Sequence, residues 1–132
     1  MENTLQTHRE ISTALCGELT ALGPPRATVR LVTDQQMRVD TTGLVHGGFV
    51  FGAADHAAMA AVNEETVVLI GAQTRFLKPT RAGSTLMFEA QVIHSDGNRR
   101  TVEVIGTSAV DNVIVFRGEF SCYLPAKHVL AN

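Results

Sequence analysis

The sequence predicts an α+β domain in which one antiparallel sheet packs on one long helix. Three observations predict it. Residues 46–63 are a run of small apolar side chains with no polar face, the composition of an interior helix. Four extended segments follow: Thr66 to Leu77, Thr85 to Ser95, Arg99 to Val110 and Val113 to Leu124. The turn-formers KPTRAG, SDGN and DN join them, short connections that suit antiparallel neighbours.

Taken in chain order, Leu5, Ile11, Leu15, Leu19 and Leu22 recur at a spacing close to helical. A helix is therefore expected over 5–22, stopped by GPP at 23–25, since proline cannot continue the hydrogen-bond ladder. ATVRLVTDQQMRVD then reads as extended, with Val29 and Leu31 alternating against Thr28 and Arg30, up to a break at TTG. The helix of 46–63 carries alanine around most of its circumference, which lets a curved sheet approach closely. With no linker, repeat or low-complexity stretch, the expectation is one domain over 1–132: N-terminal helix and turn at 1–24, central helix at 46–63, four strands over 66–124.

The bulk properties exclude several classes. A chain of 132 residues is about one domain, and one of that size buries roughly two thirds of its unfolded surface. Its 18% of charged residues is low, which leaves surface for a second subunit to cover. A net charge of −2 argues against generic nucleic-acid binding, and no apolar run has the length of a membrane span. The polar start MENTLQTHREIS is unlike a secretory signal, so a cytoplasmic protein is expected. Cys16 and Cys122 show no CxxC spacing and read as reduced thiols, and His8, His94 and His128 lack metal-ligand spacing. No metal and no cofactor is expected.

Asp55 stands alone in the middle of the apolar helix. An unpaired buried carboxylate costs free energy or shifts its pKa. Either Asp55 caps a loop or pairs with Arg75 or Lys78, or it has a chemical role.

HGGFVFGAAD at 46–55 resembles the signature of hotdog-fold acyl-CoA thioesterases of the PaaI type, with an acidic residue nine positions after the histidine. The resemblance continues through TRFLKPTRAG at 74–83 and FRGEFSCYLP at 116–125, and so covers about residues 40–125. It implies a hotdog fold, a curved antiparallel sheet wrapped around the central helix. It implies an acyl-CoA thioester as substrate, with the Gly47 backbone amide polarising the carbonyl and Asp55 acting as nucleophile or general base. The physical chemistry agrees: a helix N-terminus presents unpaired N–H donors, and glycine at 47 and 48 leaves room for close approach.

Reach sets the assembly. Gly47 and Asp55 are eight residues apart, roughly 12 Å along a helix at about 1.5 Å per residue. One helix cannot bring both groups to one carbonyl, whereas two antiparallel copies can. The resemblance implies the same cross-subunit site in a homodimer, and admits a dimer of dimers.

Other residues carry weaker claims. His46 opens the helix and either takes part in the chemistry or holds the loop by ring hydrogen bonds. His56 reads as a packing or interface histidine. Relatives place an amide six positions before the histidine, where this chain has Asp40. For the Ser or Thr with which relatives hold water, Gln73 and Thr74 are the candidates. Arg75, Lys78, Arg81, Arg99 and Arg100 are candidates for the phosphates of coenzyme A, above all the tip GNRR at 97–100, for which the sequence offers no packing reason. Phe49, Phe51, Met59, Phe76 and Met87 line an acyl pocket or belong to the core. Two other readings stand beside the hydrolase. One is a hotdog enoyl-CoA hydratase or dehydratase using Asp40 and His46. The other is a non-catalytic acyl-CoA-binding domain.

Overall fold

Val29, Leu31, Leu86, Phe88, Val102, Val104, Phe116 and Phe120 are buried at alternate positions of four strands, so they share one face of a sheet. The computed structural model describes residues 3–131. In chain order the elements are α1 (Thr13–Cys16), β1 (Glu18–Gly23), β2 (Arg26–Val32), a 3-10 turn (Gln35–Met37), α2 (Gly47–Val62), β3 (Val68–Phe76), β4 (Thr85–Asp96), β5 (Arg99–Ser108) and β6 (Ile114–Tyr123). The strands form one antiparallel sheet in the order β1-β2-β4-β5-β6-β3. β3 is thus an edge strand although it comes third in the chain.

The buried face packs on α2, which lies chiefly over β2, β4 and β5. Ala53, Ala54, Ala57, Ala58, Ala60 and Ala61 are all buried, and Met59 fills the space between them. Small side chains around the axis let strands come close on several sides. The sheet makes matching room: Gly106 lies opposite Phe88 on one neighbour and Phe116 on the other. A Cβ there would come 2.8 Å from the Phe88 ring. The two rings meet edge to face at 6.0 Å and occupy that space. α2 ends at Asn63, in the left-handed conformation that asparagine tolerates, with its N–H donating to Met59 O.

The N-terminal region departs from the sequence expectation. Instead of a helix over 5–22, a single turn, α1, is followed by β1, and GPP closes the β1–β2 hairpin. Gly17 is the reason. Its φ is +89°, and a Cβ would lie 2.5 Å from Val29 Cγ1 and 3.0 Å from Arg30 O. The chain turns there to lay Glu18–Gly23 along β2, which gains backbone pairing that a helix would not offer. The extended segment expected through residue 40 also ends early, at Val32, because Asp34 accepts from Gln36 N and starts the 3-10 turn.

Candidate functional site

α2 begins without a side-chain cap: His46 is its N-cap residue and contributes no capping hydrogen bond. Among the described residues, no acceptor serves the N–H groups of Gly47 and Gly48. The approach to this helix end is held by backbone bonds, His46 N to Met37 O and Val45 N to Thr80 O. The expectation that the His46 ring holds the loop by hydrogen bonding is not met. The ring is exposed, packs edge-on against Phe49, and lies 3.0 Å from where a Gly48 Cβ would be. Phe76, at the end of β3, covers Gly47 in the same way.

Two turns further along, Asp55 is half-buried, and its Oδ1 is out of solvent with no hydrogen-bond partner. It pairs with neither Arg75 nor Lys78 and caps no loop. Desolvation alone pushes its carboxyl up to about 6. Its charge and burial also act on the thiols nearby. Burial first, then Asp55, raises both cysteines, Cys122 to about 12, so neither is a thiolate nucleophile at neutral pH.

Asp55 opens into a groove of about 890 Å3. It is lined by residues 6–10, by residues 65–69 leading into β3, and by His128. His56, next to Asp55, turns the other way and is buried against α1. Its Nδ1–H donates to Cys16 O at 3.2 Å, which leaves Nε2 an acceptor with no partner. Burial holds His56 below the usual imidazole range, against the opposing effect of the Cys16 and Gly17 carbonyls.

The other candidates divide by location. Asp40 is exposed, and its carboxylate accepts from Thr42 N and Thr42 Oγ1. The Thr42 side-chain bond leads in holding it below the usual carboxylate range. Gln73 and Arg75 pair with Glu119 and Arg117 on the outer sheet face, where they line a separate depression of about 450 Å3. Thr74, between them, points inward against Gly118. Arg81 lies against the loop that leads into α2, where its Nη1 donates to Thr42 O and Ala82 N donates to Gly43 O, whereas Lys78, past the end of β3, donates its N–H to Val115 O. Arg99 and Arg100 stand at the other end of the sheet, across β6 from the start of β3. The tip does have a structural use for a base: Arg100 Nη1 donates to Gly97 O and Arg99 O, closing its own turn.

Of the residues considered for an acyl pocket, Met59 is wholly buried and Phe51 packs on Phe120. Met87 alternates with the buried Leu86 and Phe88, and so faces out. Residues 6–10 were not singled out by the sequence, because the helix expected there hid their path past Asp55. Among the described residues, no three His, Cys, Asp or Glu side chains gather as a metal site would, and no helix is long and apolar enough to cross a membrane.

A six-stranded antiparallel sheet curved on one buried helix is the hotdog fold. The Thioesterase superfamily profile matches residues 42–115, and the chain belongs to that family. An uncharacterized protein from Pyrococcus horikoshii is 43% identical, with a TM-score of 0.96 over 99% of each chain. Escherichia coli PaaI shares the fold, with a TM-score of 0.81 at 23% identity over 92% of this chain and 88% of its own. Among curated relatives, methylthioribose-1-phosphate isomerase of Aquifex aeolicus is 41% identical over 116 residues, 88% of this chain. Transcription factor FapR of Shouchella clausii is 33% identical over 84 residues, 64% of this chain. The matches span a quarter of the isomerase and 43% of FapR.

Proposed function

We propose that this chain is an acyl-CoA thioesterase that acts as a homodimer, with Asp55 of one subunit facing the Gly47 amide of the other. The observation that carries the reading is Asp55 itself, a desolvated, unpartnered carboxyl open to a groove. Such a group is a poor structural element and a good base or nucleophile once ionised. The reaction is hydrolysis. Either Asp55 takes a proton from water, the hydroxide adds to the carbonyl, the C–S bond breaks and that proton passes to the sulfur; or Asp55 displaces the thiolate to form a mixed anhydride, which water hydrolyses to the free acid and the restored Asp55 while a proton from that water goes to coenzyme A. The α2 N–H groups without acceptors hold the oxyanion. No metal or cofactor enters, and the cytoplasm is the compartment we assign.

The edge strand supplies the pairing. β3 has one free edge, and its apolar side chains are only partly covered: Phe76, on the inward side, is 52% exposed, and Ile70, at the irregularity between Leu69 and Gly71, is 50% exposed. An exposed apolar edge of this length is a template for another strand. Two β3 edges paired antiparallel set Val68 of one copy near Phe76 of the other. Val68 and Leu69 line the Asp55 groove, whereas Phe76 covers Gly47. The pairing therefore carries Gly47 of the partner subunit toward Asp55. Lys78 and Arg81 are the bases we assign to the coenzyme A phosphates in this arrangement.

The similarity to FapR, a transcription factor, favours one other reading, that the domain is non-catalytic, which for this site means binding acyl-CoA without turning it over. The desolvated Asp55 counts against it, since a binding groove gains nothing from a carboxyl that resists ionisation. The hydratase reading loses its acid: Asp40 is held ionised by Thr42. Thiol release from a panel of aliphatic and aryl coenzyme A esters tests the proposal. Wild type should release thiol, and Asp55→Asn should lose about 100-fold or more in kcat while still binding the ester. An unchanged rate in the asparagine variant would put the binding domain ahead.

A further inference from the structure

We propose that residues 3–12 form the acyl-selecting wall of the Asp55 groove, and that through His8 they favour short acyl groups bearing a hydroxyl or carboxylate over plain aliphatic or aryl ones. This rests on the acyl-CoA reading above and specifies the substrate class of the same site.

The strap is fixed. Asn63, at the end of α2, accepts from Gln6 N at 2.7 Å through Oδ1 and donates to Thr4 O at 3.0 Å through Nδ2. Leu5 packs on the core, and Thr7 is buried. His8 sits at φ 53°, a conformation that costs energy in a residue of its type and that aims the chain past the groove. Thr7 Oγ1 and His8 Nδ1 share a hydrogen bond of 2.7 Å. The ring is thereby held, and Nε2 is its remaining polar atom, with no partner among the described residues.

The groove's chemistry matches a polar substituent. Its walls carry Gln6, His8, Arg9, Glu10, Glu65 and His128, with apolar contact only from Val67–Leu69. Three of the side chains that could make an aliphatic or aryl pocket are committed elsewhere: Met59 in the core, Phe51 on Phe120 and Met87 on the outer face. Burial, then the neighbouring His56, holds His8 below the usual imidazole range, so at neutral pH it meets the substituent as a neutral hydrogen-bonding ring. Polar groups arranged for a hydrogen bond discriminate strongly, because an analogue lacking the substituent leaves them unpaired.

The test is binding of butyryl-, octanoyl-, phenylacetyl-, 3-hydroxybutyryl- and succinyl-CoA to Asp55→Asn by calorimetry, alongside turnover by wild type. The 3-hydroxybutyryl or succinyl ester should bind about tenfold or more tighter than butyryl, octanoyl and phenylacetyl. Adding His8→Ala should shrink that ratio to about twofold, and His8→Gln, which keeps a donor, should restore part of it. Should His8→Ala fail to fold, the glutamine variant's intermediate ratio carries the test. Tightest binding of octanoyl or phenylacetyl, or an equal loss for every ester on changing His8, overturns the inference. The binding preference without any turnover would uphold it and sink the hydrolase reading; turnover without the preference would do the reverse. No binding by any ester would end both.

Discussion

Phe76 lies over Gly47: a Cβ built on the glycine would stand 3.3 Å from the ring's Cε1. The last residue of the free edge strand thus touches the first residue of the central helix. Whatever docks on β3 is felt at the helix N-terminus, and glycine there keeps the amide reachable beside an aromatic ring.

Activity should rise with pH through about 6. Burial raises the Asp55 carboxyl to about 6, so below that it holds its proton and can neither attack nor accept one. The expected profile of log kcat/KM climbs with a slope of about one below pH 6 and flattens above it. A stopped-assay series from pH 4.5 to 8.5 measures this, and a flat profile across the acid range would remove Asp55 from the chemistry.

Asp55→Asn should stabilise the fold at alkaline pH. A carboxyl raised on folding binds its proton more tightly in the folded state than in the unfolded one. Stability is therefore greatest below the ordinary carboxylate value of 3.8 and is lost as pH rises toward about 6. Allowing for screening at an open groove, the loss is about 1–2 kcal/mol above pH 7. Calorimetry at pH 8 should show the asparagine variant melting about 3–8 °C higher than wild type, with the gap closing at pH 4. Equal melting at pH 8 would mean the carboxylate is better solvated than its surroundings indicate.

Gly17 and Gly83 separate backbone strain from crowding. Both have positive φ, +89° and +96°, but nothing lies within 4 Å of a Cβ on Gly83, whereas one on Gly17 meets Val29 and the Arg30 carbonyl. Gly83→Ala should cost about 1–2 kcal/mol, from conformation alone. Gly17→Ala should cost about 2–4 kcal/mol, because β1 must also move off β2. Urea unfolding of the two variants measures the difference, and equal losses would show that the α1–β1 corner yields freely.

The strands after α2 were legible because alternation and turn residues agreed over each. Helix α2 was legible because alanine on every side has only one stable place, the interior. The N-terminal region was not. Its leucines recur at a helical spacing, but Gly17 takes a positive φ only because β2 lies alongside, and no local signal shows that contact. The path of residues 6–10 past Asp55 was hidden with it.

The positions of the candidate residues were legible where one element decides them and obscure where two must combine. That Gly47 opens the helix and Asp55 lies within it follows from one run of small residues, whereas the roles proposed for them come from the resemblance. Which way Gln73, Thr74 and Arg75 point depends on the irregularity between Leu69 and Gly71, which resets the parity of β3. A shift of one residue moves every later side chain to the other face. Arg100 looked free for a ligand because its acceptors, Gly97 O and Arg99 O, are backbone atoms that a sequence does not display.

The central claim is that the oxyanion donor and the acid come from different subunits, and mixing two dead variants tests it most directly. Gly47 is the first residue of α2, where proline is tolerated and removes the N–H. Homodimers of Gly47→Pro and of Asp55→Asn should each be inactive. Co-expressed, half the dimers are mixed and each has one intact site, so activity should return to about a quarter of wild type. No recovery in the mixture, or full activity in the proline homodimer, would contradict the cross-subunit site.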